Sequence, residues 1–162
     1  MKIGVVSDTH SRPIPQQVFD TFKNVDFIIH AGDFCSLEDL KKFQEIKTVK
    51  AVHGNMDENN LCALLPERDI VAWENFKIGL YHGRGPAHQI LDSVQEEFKN
   101  DHVDAVIFGH SHQPFNEELN GVLYFNPGSP NDRIFAPYCS YGILEIKGEK
   151  LVGKIVKVKD NG

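Results

Sequence analysis

Five short runs of apolar, β-favouring residues each stop abruptly at His, Asp or Asn beside a glycine or another small residue. They are Val5-Val6-Ser7-Asp8-Thr9-His10, Ile28-Ile29-His30-Ala31-Gly32-Asp33, Val52-His53-Gly54-Asn55-Met56-Asp57, Leu80-Tyr81-His82-Gly83 and Ile107-Phe108-Gly109-His110-Ser111-His112. Nothing else in the chain constrains the fold as tightly. In open α/β sheets, ligands bind just beyond the carboxyl ends of the strands. Strand ends of this kind would place Asp8, His10, Asp33, Asn55, His82, His110 and His112 along one edge.

The segments between these runs read as helices and turns. Lys2 to Ser7 is a strand, and Pro15 then opens a helix with Val18, Phe19 and Phe22 on its inner face. Asp26 to His30 is a second strand. Ser36 stands where an N-cap is needed, ahead of Leu37, Leu40 and Phe43, with Glu38 and Asp39 in the first turn. Thr48 to His53 is a third strand. A β-α-β-α-β order implies a parallel sheet with right-handed crossovers. Asp69 to Trp73 and Lys77 to His82 flank Glu74-Asn75-Phe76 as a hairpin. Pro86 opens a helix carrying Ile90, Leu91, Val94 and Phe98, and Ala105 to Phe108 is a continuous apolar strand. Val122 to Phe125, Ser140 to Ile146 and Leu151 to Val158 read as an antiparallel second sheet. The expectation is an α/β chain with a single domain over residues 1–162, without repeats or linkers.

The chain is 41% hydrophobic and 25% charged, which is ordinary globular composition. No apolar stretch approaches the roughly 20 residues that span a bilayer. The start, MKIGVVSDTH, is too short for a secretory signal and reads as a buried strand. The expected location is therefore cytoplasmic. Cys35, Cys62 and Cys139 are odd in number and lack CxxC spacing, so they are expected to pack as small hydrophobes without disulfides. The formal net charge of −6, with lysines scattered, argues against a nucleic-acid polymer as substrate or partner. The basic C-terminal run alternates with apolar residues and reads as a strand with a solvated face.

The donor set at the strand ends has its own chemistry. It offers two carboxylates, four imidazoles and one amide carbonyl, with no thiolate. Such mixed N/O ligation suits Mn, Fe, Ni, Co or Zn. In DxH and HxH on an extended strand end, residues i and i+2 point the same way, so each motif can offer two ligands to one site. Seven ligands exceed one tetrahedral ion but suit two ions that share a carboxylate. A lone histidine at a strand end is ordinarily a cap or core residue, and a lone Gly-Asp or Gly-Asn is ordinarily a turn. Five such ends in succession are not explained by turns.

In order, these segments match the pattern SDTH, (H)AGD, GN.D,.HG and GHSH across essentially the whole chain. On them the sequence resembles the calcineurin-like metallophosphoesterase superfamily, and most of all its small bacterial and archaeal phosphodiesterases. The resemblance implies two mixed β-sheets packed as a sandwich and flanked by helices. It implies a metal-dependent phosphodiesterase that hydrolyses small phosphate esters with a hydroxide bridging two divalent metals, Mn2+ first, with Ni2+, Fe2+, Co2+ or Zn2+ as alternatives. Asp8, His10 and His112 would hold the first metal, Asn55, His82 and His110 the second, and Asp33 would bridge them. Asn55, Asp33 and His82 would be the residues closest to the chemistry, with the Asn55 amide able to donate to a phosphate oxygen. Small relatives often form dimers or tetramers, so a homo-oligomer is an expected partner.

One position departs from the larger family members, which carry a histidine after Gly-Asn as general acid. This chain has Met56 there, and a thioether cannot transfer a proton. Leaving groups that depart unprotonated should then be favoured. Asp57 is a candidate to orient His10 through its outer ring nitrogen, or else a turn residue. Arg12 and Arg84 are candidates to meet the phosphate. His30 reads as a buried, hydrogen-bonded histidine, and His53 and His88 as reserve proton donors. Asn126-Pro127-Gly128-Ser129 matches a turn segment of the family near the site. Two other classes compete. One is a phosphoesterase-fold scaffold without catalysis, as in the similar subunit of the retromer coat, which would tend to lose ligands. The other is a metal hydrolase acting on a different bond. No GxSxG elbow supports a serine mechanism, and no cysteine has an activating base nearby in sequence.

Overall fold

The first three apolar runs fold as parallel strands β1 (Lys2–Val6), β2 (Phe27–His30) and β3 (Val49–Ala51), joined by helices α1 (Gln16–Phe22) and α2 (Leu37–Gln44). The computed structural model describes residues 1–160, so the last two positions of the expected domain lie outside it. After β3 come α3 (Asn59–Leu64), β4 (Arg68–Trp73), β5 (Phe76–Tyr81), a 3₁₀ turn (Ala87–Gln89), α4 (Ile90–Phe98) and β6 (Ala105–Ile107). The chain closes with β7 (Phe115–Leu119), β8 (Val122–Asn126), β9 (Ser140–Lys147) and β10 (Lys150–Lys157). Two five-stranded sheets result, in the orders β10-β9-β1-β2-β3 and β4-β5-β6-β8-β7. Both are mixed: β1, β2 and β3 run parallel, with β9 antiparallel beside β1 and β10 antiparallel to β9, while β5, β6 and β8 run parallel between antiparallel β4 and β7.

Strand alternation decides which residues meet between the sheets. Ile3, Val5, Ile29, Leu144 and Ile146 from one sheet pack on Ile78, Leu80, Ala105, Ile107 and Phe125 from the other. The alternate residues face outward beneath helices. Val18, Phe22, Leu40, Phe43 and Leu61 from α1, α2 and α3 cover the first sheet, against Val6, Ile28 and Tyr141. Ile90, Val94 and Phe98 of α4 cover the second, against Val106 and Tyr124. Each sheet receives one helix ring over a strand glycine: Phe22 lies across Gly4 and Phe98 across Gly79. No helix among the described residues is long and apolar enough to cross a membrane.

The C-terminal strands depart from expectation. β9 and β10 do form an antiparallel pair, but β9 pairs with β1 and so extends the first sheet. The second sheet is built from β4 to β8, with β8 parallel to β6. Alternation reveals which face of a strand is buried but not its neighbour, and β1 had an edge free to accept β9. Strand β7 and helix α3 were not expected. β7 reads FNEEL, with mostly polar residues on an edge, and α3 spans only six residues. The hairpin is as expected, with Trp73 opposite Phe76 and Glu74 in the left-handed region at φ 53°. Ser36 occupies the N-cap of α2, yet its hydroxyl makes no cap bond and instead accepts from Ser11 Oγ at 3.1 Å. The three cysteines are free, and Cys62 is exposed rather than packed.

Candidate metal centre

The parallel strands of both sheets deliver their carboxyl ends to one place. Asp8 and His10 follow β1, Asp33 follows β2, Asn55 follows β3, His82 follows β5, and His110 and His112 follow β6. Backbone bonds fasten these ends together. Asp8 and His10 donate to the carbonyls of Gly32 and Asp33 at 3.0 Å each, and Gly109 donates to His82 at 3.1 Å. Asp8 Oδ2 accepts from Ser7 Oγ at 2.7 Å and from the His110 amide at 3.0 Å, which ties the two sheets.

The chain turns sharply at these points. Asp8, His10, Asp33, His110 and His112 have φ between 48° and 68°, a region costly for residues with a Cβ. Such residues cost about 1–3 kcal/mol each and persist only where their surroundings over-determine them. Two glycines allow the close approach. A Cβ on Gly109 would strike Ser7 Oγ and Asp8 Oδ2, and one on Gly54 would strike Asp33 Oδ1.

Two clusters of side chains result. Asp8, His10 and His112 converge as one, and Asp33, His82 and His110 as the other, with ligand atoms within 4.8 Å of one another in each. Asp33 Oδ2 lies 3.2 Å from His82 Nε2 and 3.7 Å from His10 Nε2, so it faces both. Asn55 Oδ1 is 2.9 Å from His110 Nδ1, which adds the amide to the second cluster. All seven residues read from the strand ends are therefore brought together.

Each imidazole is held by its outer nitrogen. His82 Nδ1–H donates to the Ala31 carbonyl at 2.7 Å, and His110 Nε2–H donates to the Gly85 carbonyl at 2.8 Å. His112 Nδ1 bonds the buried Asp132 carboxylate, and His10 Nδ1 faces Cys35 Sγ at 3.4 Å. The inner nitrogens are left pointing at each other: His10 and His112 Nε2 at 3.1 Å, His82 Nε2 and His110 Nδ1 at 3.3 Å.

The electrostatics follow from this crowding. Burial alone would raise the Asp8 carboxyl, but the imidazoles around it, His82 foremost, hold it well below the usual carboxylate range. Burial would likewise raise Asp33, which its bond to His82 keeps low. His82 is pushed up to about 9 although burial opposes it, because Asp8 and Asp33 carry negative charge beside it. His112 also rises to about 9 against burial, through Asp8 and then Asp132. The pocket thus draws positive charge.

Comparison with known proteins places the chain. A sequence model of the calcineurin-like phosphoesterase superfamily domain matches residues 1–149. The chain belongs to this superfamily. It is similar to a probable metallophosphoesterase of Methanothermobacter thermautotrophicus, 39% identical over 97% of this chain and 92% of the relative. It is also similar to a phosphodiesterase of Methanocaldococcus jannaschii, 34% identical over 79% of this chain and 83% of the relative. Among solved structures, vacuolar protein sorting 29 from Cryptosporidium parvum matches with a TM-score of 0.85 over 99% of this chain and 93% of that one, at 22% identity. That likeness shows the fold, two mixed sheets flanked by helices.

Metallophosphoesterases use divalent cations, and the residues here fit them. Asp8 Oδ1 is buried with no hydrogen-bond partner among the described residues, a costly condition for a carboxylate oxygen. The facing imidazole nitrogens would repel one another as lone pairs unless a proton or cation lay between them. The donor set itself is the hard and borderline mixture that such ions accept.

The surrounding candidates sort differently. Asp57 does not orient His10: its Oδ2 accepts from the Asp33 and Gly54 amides at 3.0 and 2.7 Å, and its Oδ1 from Cys35 at 2.7 Å. It locks the Asp33 and Asn55 turns together, because backbone amides from both turns occupy its two oxygens. Arg12 reaches toward Asp132, at 3.8 Å from Oδ1. Arg84 lines a small cleft of about 120 Å³ beside Asn55 and His82, with His53, Glu67 and Tyr81. His88 is exposed on the 3₁₀ turn. His30 is fully buried, bonded to Thr9 Oγ1 and the Gly32 amide at 3.1 Å each, and stacked on Phe34. The segment from Asn126 to Ser129 does abut the site, with Asn126 donating to the Gly109 carbonyl and Ser129 Oγ to the Asp8 carbonyl. Asp132 and Cys35 were missed. Asp132 follows Pro130-Asn131 and reads as a turn residue, and nothing near Cys35 in sequence pointed to His10.

Proposed function

We propose that this protein is a phosphodiesterase that hydrolyses small phosphate diesters with two divalent cations bound at its paired clusters. One observation carries the reading: Asp33 faces both clusters, His10 of one and His82 of the other, and within each cluster two imidazoles turn their inner nitrogens toward each other. Asp8, His10 and His112 would hold one ion, Asn55, His82 and His110 the other, with Asp33 shared. Mn2+ is the proposed ion, and the same donors accept Ni2+, Fe2+, Co2+ or Zn2+. When bound, such a pair of ions acidifies water and withdraws charge from phosphoryl oxygens. The protein's own side chains do the rest. Asn55, with its carbonyl toward His110, has an amide NH2 free to donate to a phosphate oxygen. Arg84, in the cleft beside Asn55, can meet the ester's other oxygens. The fixed carboxylates and imidazoles are preorganised by their outer bonds and need no rearrangement on substrate arrival. The phosphodiesterase of Methanocaldococcus jannaschii supports the diester preference. The complete donor set supports turnover over a scaffold role.

Met56 shapes what the enzyme hydrolyses well, because it offers no proton to a departing alkoxide. The test is turnover of bis(p-nitrophenyl) phosphate with added Mn2+, against the same protein treated with EDTA. Turnover with Mn2+ and none after EDTA is expected. Alkyl diesters, which need a protonated leaving group, should react slower by about 10²–10⁴ beyond their intrinsic difference. Absence of turnover with all five ions would overturn the proposal, and equal alkyl and aryl rates would overturn the leaving-group argument.

A further inference from the structure

Asp132 sits in the connection between β8 and β9, fully buried, with every oxygen engaged. Oδ2 takes the outer nitrogen of His112. Oδ1 accepts the amides of Ile134 and Phe135 at 2.8 and 3.1 Å and faces the Arg12 guanidinium at 3.8 Å. Its own amide donates to Ser129 Oγ at 3.1 Å. The same connection is stitched to the first metal turn, since Ser129 Oγ donates to the Asp8 carbonyl at 2.8 Å and Asn131 Nδ2 to the Thr9 carbonyl at 2.9 Å. The carboxylate is therefore fixed from four directions, and it fixes His112 in turn.

The partner histidine of that cluster is backed differently. Behind His10, Nδ1 faces the Cys35 Sγ at 3.4 Å in place of a carboxylate. A neutral thiol is a weak acceptor, whereas a carboxylate accepts strongly and makes the ring a better donor to a cation. We infer that Asp132 is a positioning residue, which holds His112 with its inner nitrogen aimed at the Asp8–His10–His112 cluster, and that this pair governs how tightly the cluster keeps its ion. The inference rests on the metal-centre reading above.

The experiment is calorimetric Mn2+ titration of the full chain, unaltered and as Asp132→Ala, His112→Ala and the double variant, with Cys35→Ala alongside. Asp132→Ala weakens one of the two binding events by about 10–100-fold and leaves the other in place. With His112 already replaced, the same change has little further effect, because Asp132 acts through that ring. Cys35→Ala loses less than Asp132→Ala. Should Asp132→Ala fail to fold by circular dichroism, Asp132→Asn carries the cycle, with a smaller loss because an oxygen acceptor remains. Affinity unchanged in the Asp132 variant, the same loss with and without His112, or a larger loss in Cys35→Ala overturns the inference alone. An unaltered chain that binds no Mn2+ overturns the metal-centre reading and this inference with it.

Discussion

His30 shows how a residue next to the chemistry can serve the fold alone. Burial drives its pKa from 6.5 down to about 3, against the charges of Asp8 and Asp33. Between those values the unfolded chain takes up a proton that the folded chain refuses. Its contribution is therefore complete above pH 6.5 and is lost as pH falls toward 3, at about 1 kcal/mol per pH unit. Denaturant melts of His30→Gln between pH 7 and 4 should show a shallower loss than the parent; parallel slopes would sink this account. The same neighbourhood shows what could be read beforehand. Asp8, His10, Asp33, Asn55, His82, His110 and His112 were legible because each combines a strand end, a ligand atom and a nearby small residue. Their outer partners were not. Ala31 and Gly85 act through carbonyls, which every residue has, and Asp132 reaches His112 across a loop whose path no local pattern encodes.

At the scale of elements, the fit between helix and strand depends on absent side chains. Phe98 of α4 occupies the space above Gly79 in β5, where an added Cβ would lie 2.6 Å from the ring. Gly79→Val should then cost about 1–3 kcal/mol by overpacking. The expected signature is a lower urea midpoint with an unchanged m-value, and an unshifted midpoint would show that the ring gives way freely. The helices and most strands were visible as periodic apolar runs, and the parallel order of β1 to β3 followed from the intervening helices. Pairing of the tail was not visible. β9 meets β1 across most of the chain's length, and its alternation marks a buried face without naming the strand beside it.

For the whole molecule, bound ions should act as a fastening between sheets. Ligands that bind only the folded state stabilise it by mass action, about 2.7 kcal/mol at a hundredfold excess over Kd. For a chain of this size, each kcal/mol moves Tm by about 2–4 °C. Adding Mn2+ to EDTA-stripped protein should therefore raise Tm by several degrees, and a Tm indifferent to the metal would argue against tight binding at the paired clusters. Asp8, His10, Asp33 and Asn55 come from one sheet, and His82, His110 and His112 from the other. Neither half owns a finished pocket. During synthesis the last of the seven donors to emerge are His110 and His112, so a chain cut short of them lacks one member of each cluster. On the proposed reading, hydrolysis therefore requires both layers at once and would be lost wherever the two part.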